Sequence, residues 1–161
     1  MRTLLVGLGN PILADDAIGP RLAADVALAL GPVAGLDVVE ECSAGGLELL
    51  DVVAGYDRLI VLDSIRGGGG RPGDWYAFDG RALRATEHLD NIHDANFATA
   101  LALGRRLGLR VPPDDRVHVF AVEAADNATF SEELTPALRD SYPALLEAFV
   151  REIRLLLDKE P

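Results

Sequence analysis

The sequence predicts an α/β protein built in three layers, α/β/α, around a mostly parallel, twisted sheet of about five strands with helices on both faces. Two observations carry this. Short apolar runs (TLLVGL at 3–8, RLIVL at 58–62, VHVFAV at 117–122) are separated by segments whose apolar residues recur at helical spacing. The run RLIVL is apolar after its arginine, as a strand covered on both faces requires, and such strands need helical crossovers between them. With 161 residues, 49% hydrophobic and 25% charged, the chain suits one compact unit, 1–161.

The elements follow in order. Residues 3–8 form a buried strand that ends at Gly9-Asn10-Pro11, and Ile18, Leu22, Val26 and Leu30 then mark a helix. DVVEE, 37–41, is a second strand, and 46–54, with Leu47, Leu50 and Val53, a short helix. Arg58–Leu62 is the clearest strand, with Asp63 at its end. GGGGRPG, 67–73, is too short to divide two domains and reads as a mobile loop before the strand DWYAF, 74–78. Residues 94–107 are helical by Phe97, Leu101 and Leu107, with Gly108 as the stop, and 117–122 is the last strand. In the tail, 136–157, an apolar face runs through Leu145, Phe149 and Ile153, and Pro143 kinks or restarts the helix.

Charge narrows the function. The formal net charge is −11 and Lys159 is the lone lysine, so nucleic acid and anionic lipid, which need a basic face, are excluded as partners. A protein, peptide or metal partner fits. No leader and no apolar run of membrane-spanning length is evident, so a cytoplasmic location and no membrane attachment are expected. A monomer is the default, since the pattern leaves no obvious exposed apolar stripe. A single cysteine, Cys42, excludes an internal disulfide and a thiolate-only metal cage.

In such sheets ligands gather beyond the carboxyl ends of the strands. Asp15 and Asp16 follow the first strand, Asp63 the third, His93 precedes a helix, and Glu123 follows the last strand. Two carboxylates and one imidazole suit a borderline divalent ion such as zinc or nickel; the same groups also suit metal-free acid and base catalysis on an amide. Each has a plainer reading: Asp16 as a helix cap, Asp63 as a loop acid, His93 as a solvated or capping residue, Glu123 as solvent-facing. His118 alternates with Val117 and Val119 as a packed or edge histidine, His88 falls in a polar loop, and Cys42 has no histidine nearby in sequence to activate it. The glycines of GLGNPILADDAIGP, 7–20, do not make a dinucleotide fingerprint, because Ile12 stands where the third glycine belongs and the doubled acid repels phosphate.

The opening block is similar to that of peptidyl-tRNA hydrolases, which also begin on a strand and GLGNP, but those continue into a catalytic His-Asn pair and no histidine precedes His88 here. The whole chain resembles the hydrogenase maturation proteases. The resemblance rests on GLGNPILADDAIGPR (7–21), ECSAGGLELLD (41–51), LIVLDSI (59–65), His93 and VHVFAVE (117–123) followed by LTPAL (134–138). It implies a phosphorylase/hydrolase-like fold and an endopeptidase that trims the C-terminal extension from the nickel-loaded precursor of a nickel-iron hydrogenase large subunit. The resemblance further implies Asp16, Asp63 and His93 as metal ligands and nickel delivered in the substrate, with zinc or cadmium able to substitute; either the ion polarises the carbonyl or a water, with Asp16 or Asp63 as the catalytic base, or it only docks the tail. Chemistry alone does not separate Asp15 from Asp16; the family pattern prefers Asp16. The chain departs from that pattern in the Asn91-Ile92-His93 context and in Ala124-Ala125 after the last strand, where a proline is common. The alternative is a non-catalytic, metal-dependent binding or chaperone protein on the same fold.

Overall fold

The computed structural model describes residues 1–45, 47–85 and 92–159. Its sheet has five strands in the order β2-β1-β3-β5-β4. These are β1 (Thr3–Leu8), β2 (Leu36–Cys42), β3 (Arg58–Ile65), β4 (Trp75–Asp79) and β5 (Val117–Glu123). All pairings are parallel except β4 with β5, so the predicted sheet is correct and its one antiparallel strand lies at an edge. Among the described residues five helices surround it: α1 (Ile18–Leu30), α2 (Leu47–Val53), α3 (Gly80–Ala85), α4 (Ile92–Arg106) and α5 (Pro136–Asp158). The segment of α3 carries no clear apolar periodicity and was not expected from the sequence.

Alternation along the central strands divides the core in two. Leu4, Val6, Leu59, Val61, Val117 and Val119 face Leu49, Leu50 and Val53 of α2 and Phe97, Ala100 and Leu101 of α4. Leu5, Ile60, Leu62, Phe120 and Val122 face Ile18, Leu22 and Val26 of α1 and Leu145, Phe149 and Ile153 of α5. The rings of Trp75, Phe120 and Phe149 cluster with centroids 5.3–6.1 Å apart. By the same parity Asp63 projects toward the layer of α2 and α4, and Ser64 toward that of α1 and α5.

Several details differ from expectation. β3 runs to Ile65, so Asp63 lies within the strand; β5 continues beside it, pairing Asp63 with Ala121 and Ile65 with Glu123. α5 passes unbroken through Pro143, which therefore does not restart it. The outer side of α5 also leaves an apolar groove lined by Pro143, Leu146, Val150 and Leu155, with Leu155 51% exposed, a feature the periodicity did not foretell. Among the described residues no helix is long and apolar enough to cross a membrane.

Glycines set how closely α1 approaches the sheet. A Cβ on Gly19 would lie 2.2 Å from the Leu8 carbonyl oxygen and 2.5 Å from that of Leu62, and one on Gly7 would lie 2.7 Å from the Gly19 carbonyl oxygen. Helix and strands therefore touch backbone to backbone, which places the start of α1 directly over the ends of β1 and β3.

Candidate active site at the carboxyl ends of the strands

The site begins where β1 gives way to the opening loop. Gly9 has φ +139°, and a Cβ there would fall 2.0 Å from the Asp16 carbonyl oxygen, so only glycine lets the chain fold back on the turn that follows. The Asn10 side chain accepts the Ile12 N–H at 3.1 Å, an Asx turn that sets the loop's direction. A 3-10 turn, Ala14–Ala17, then presents both acids, and both are buried.

The structure separates the two acids by what each carboxylate touches. Asp15 is fully buried and accepts four hydrogen bonds, from the N–H groups of Ala125 (2.9 Å), Asp126 (3.0 Å) and Thr135 (2.8 Å) and from the Thr135 hydroxyl (2.9 Å). It pins the segment between β5 and α5 to the opening loop, reinforced by the Ala14 N–H to the Ser131 carbonyl and the Ser131 N–H to the Ile12 carbonyl. Ala14, with φ 45°, is the single non-glycine residue with positive φ among the described residues, and its left-handed conformation is held by these contacts.

Asp16 instead faces the sheet. One oxygen accepts the Asn10 N–H at 2.8 Å and the other the Ser64 hydroxyl at 3.0 Å. Ser64 in turn donates its N–H to Asp63 Oδ1 at 2.7 Å. One residue thus links both carboxylates, Asp63 within β3 and Asp16 on the 3-10 turn that follows β1. Ser64 escaped the sequence reading; its signal was its place immediately after Asp63 at a strand end, the position from which parity sends it to the other face.

His93 lies in the first turn of α4, the helix layer toward which Asp63 projects, but its side chain lies outside the described residues. Gly46 and His88 also lie outside them. Among the described residues no three histidine, cysteine, aspartate or glutamate side chains come together as a cage for an ion. Asp16 and Asp63 are carboxylates, the donor type that borderline and hard divalent ions accept.

The other candidates fall elsewhere. Glu123 is not solvent-facing: it is 5% exposed and accepts the N–H groups of Gly67 (2.9 Å) and Gly68 (3.1 Å) and the Tyr76 hydroxyl (3.1 Å). The reason is topological. β3 reaches β4 through a loop that steps over the end of β5, and Glu123 stands beneath it. Cys42 is buried in the core at the end of β2. His118 pairs with Ile60 and Asp79, away from the rim, as a half-buried residue whose pKa is lowered by burial and then by the Arg58 charge.

A doubly covered α/β sheet with buried acids beside the carboxyl ends of its central strands defines the class: an α/β protein whose candidate site lies where such sheets take their ligands. The comparison with known proteins then fixes the family. A family model described as hydrogenase maturation protease matches residues 34–152 of the chain. The chain therefore belongs to the hydrogenase maturation protease family, and it is a hydrogenase maturation endopeptidase. Its structure is similar to that of the hydrogenase maturating endopeptidase HybD from E. coli, with 25% identity over 96% of this chain and 93% of that one and a TM-score of 0.77. A solution structure of an endopeptidase from Escherichia coli agrees at 25% identity, 95% and 90% coverage and a TM-score of 0.76. The [NiFe] hydrogenase maturation protease HybD from Thermococcus kodakarensis shares the fold, at 21% identity, 94% and 98% coverage and a TM-score of 0.69. No curated protein sequence matches the chain significantly. The family model begins after the opening block, whereas the structural likeness extends over nearly the whole chain.

Proposed function

We propose that this protein is a nickel-dependent processing endopeptidase that removes the C-terminal extension from the nickel-loaded precursor of a nickel-iron hydrogenase large subunit. Asp16, Asp63 and His93 complete the coordination of an ion that arrives with the substrate, and Asp16 or Asp63 also acts as the base. The protein works as a monomer in the cytoplasm. The observation that supports this reading is the division of labour between neighbouring acids: Asp15 is consumed by four donors, while Asp16 faces the sheet and is tied through Ser64 to Asp63.

Carboxylate and imidazole donors suit nickel, and zinc or cadmium also fit the same set. The ion would supply Lewis acidity toward the scissile carbonyl or a water. The chain's own groups do the rest. The Ser64 hydroxyl and the Asn10 N–H fix the Asp16 carboxylate before substrate arrives, so no reorganisation is needed as the tail docks. The carboxylate oxygen of Asp16 or Asp63 that does not face the ion takes the proton of the attacking water as the water oxygen bonds to the carbonyl carbon. That proton passes to the leaving amine as the peptide bond breaks.

The test is to incubate the protein with nickel-loaded and nickel-free precursor and weigh the large subunit. Shortening only of the nickel-loaded form is expected; equal shortening of both would overturn nickel dependence, and binding without shortening would favour the binding-protein alternative. Asp63→Asn separates docking from chemistry: retained precursor binding with lost cleavage excludes a purely docking role for that residue.

A further inference from the structure

The loop between β3 and β4 is tied to one residue. The Glu123 side chain accepts the N–H groups of Gly67 and Gly68 and the Tyr76 hydroxyl; its backbone N–H donates to the Asp74 carbonyl at 2.8 Å, and its carbonyl accepts the Gly73 N–H at 2.9 Å. Tyr76 adds a tie by accepting the Gly70 N–H at 2.8 Å. Both ends of the loop are thus anchored on the last residue of β5. A buried carboxylate is costly to desolvate unless its oxygens are satisfied, and here the satisfying donors are the loop's own backbone.

What this anchoring holds open is a polar concavity of about 610 Å³, lined by Gly68–Gly70, Asp74 and Tyr76. The glycines differ in role. A Cβ on Gly68 would lie 2.6 Å from a Glu123 oxygen and one on Gly70 2.3 Å from the Tyr76 hydroxyl, so a larger residue at either position would displace the anchoring side chains. Gly67 and Gly69 have φ of +80° and +91°, and nothing lies within 4 Å of a Cβ on either. The Gly67 N–H is spent on Glu123, so it is at Gly69 that the backbone lies bare toward open space, where another backbone can approach closely. The loop starts four residues after Asp63, a span of about 13 Å at the rise of a strand, so an extended tail lying over Asp63 reaches it within about four residues.

We propose that the glycine loop 67–73 is a preformed cradle for the extended tail of the precursor, with Glu123 as the positioning residue that holds its shape. This rests on the reading of the chain as a processing endopeptidase. The cradle recognises main chain, so it tolerates variation in the tail's sequence. The Asp74 carboxylate and the chain's net charge of −11 favour a neutral or basic tail over an acidic one.

The test measures KM and kcat on nickel-loaded precursor for the wild type, Glu123→Gln and Gly69→Asn, with thermal melts beside them. Glutamine keeps the shape but turns an amide N–H toward a backbone N–H, so the loop loses an anchor. Asparagine tolerates positive φ and fills the open space without touching Glu123. KM is expected to rise about fivefold or more in both, with kcat within about twofold and binding of the already processed, tail-less subunit unchanged. An unchanged KM in both variants, or a fall in kcat alone, overturns the cradle while wild-type cleavage keeps the endopeptidase reading intact. Should Glu123→Gln fail to fold, Gly69→Asn decides the matter. A wild type that binds precursor without cutting it overturns the enzyme reading, and the cradle is then judged by the same comparison on binding. A wild type that does neither overturns both.

Discussion

Asp15→Asn should destabilise the fold far more than the same change one position later. The Asp15 carboxylate has no exposed surface and accepts four hydrogen bonds, three of them on one oxygen. An amide placed there can keep its oxygen on that cluster, but its NH2 group then meets the Thr135 N–H, leaving buried donors unpaired and the remaining bonds without charge assistance. Unsatisfied buried donors cost about 1–3 kcal/mol each, and loss of charge assistance adds to that, giving about 3–5 kcal/mol in all. For a chain of this size that is a fall of about 10–15 °C in Tm. Asp16→Asn behaves differently, because its oxygen can still accept from Asn10 and its NH2 can donate to the Ser64 oxygen, so the cost is about 1 kcal/mol or less. Thermal melts and urea titrations of both variants, paired with the precursor cleavage assay, give the decision. Asp15→Asn should lose stability foremost, and Asp16→Asn should lose cleavage while melting within about 4 °C of wild type. A stability loss below about 1 kcal/mol for Asp15→Asn, or one equal for both variants, would refute the division of roles.

Three further outcomes follow from other parts of the molecule. Gly19→Ala should reduce the urea midpoint sharply or abolish soluble expression, since its methyl would meet two backbone oxygens at 2.2 and 2.5 Å and push α1 off the sheet, at a cost of about 3 kcal/mol or more. Absorbance at 295 nm should show Tyr142 ionising above the ordinary tyrosine range, because burial and then the hydrogen bond to Asp25 at 2.6 Å raise its pKa. The folded pKa is the higher one, so its stabilisation is complete below about pH 10 and is lost as pH rises beyond it; a normal titration would contradict this. Asp126, which accepts the Thr129 hydroxyl and the N–H groups of Ala128 and Thr129, is depressed to about 2, with the Thr129 side chain the largest cause. Its contribution is therefore present above about pH 4 and lost toward pH 2, and the protection of the Ala128 and Thr129 amides, measured as exchange relative to the intrinsic rate at each pH, should fall across that window and stay level above it.

Much of this was legible in the sequence, for identifiable reasons. β1, β3 and β5 declare themselves because strands covered on both sides must be apolar at nearly every position, and Asp16 and Asp63 stand out as acids at the rim such strands create. The missed features share a cause: they depend on which strands neighbour one another. Glu123 reads as a solvent-facing acid until the loop from β3 is seen to cross over the end of β5. The extension of β3 through Asp63 depends on β5 running alongside it. Asp15 could not be told from Asp16 because its donors, Ala125, Asp126 and Thr135, lie more than a hundred residues away. Ser64 acquires meaning only when parity turns it toward α1.

The backbone contact of α1 with β1 and β3 has a thermodynamic consequence for substrate capture. Gly7, Gly9 and Gly19 leave no slack on that side, so the position of Asp16 over β3 is settled when the protein folds. Association then orders little of the enzyme there, and the loss of conformational freedom falls on the precursor's tail. Shortening or stiffening that tail should shift the binding entropy more than any loosening of the enzyme's opening loop.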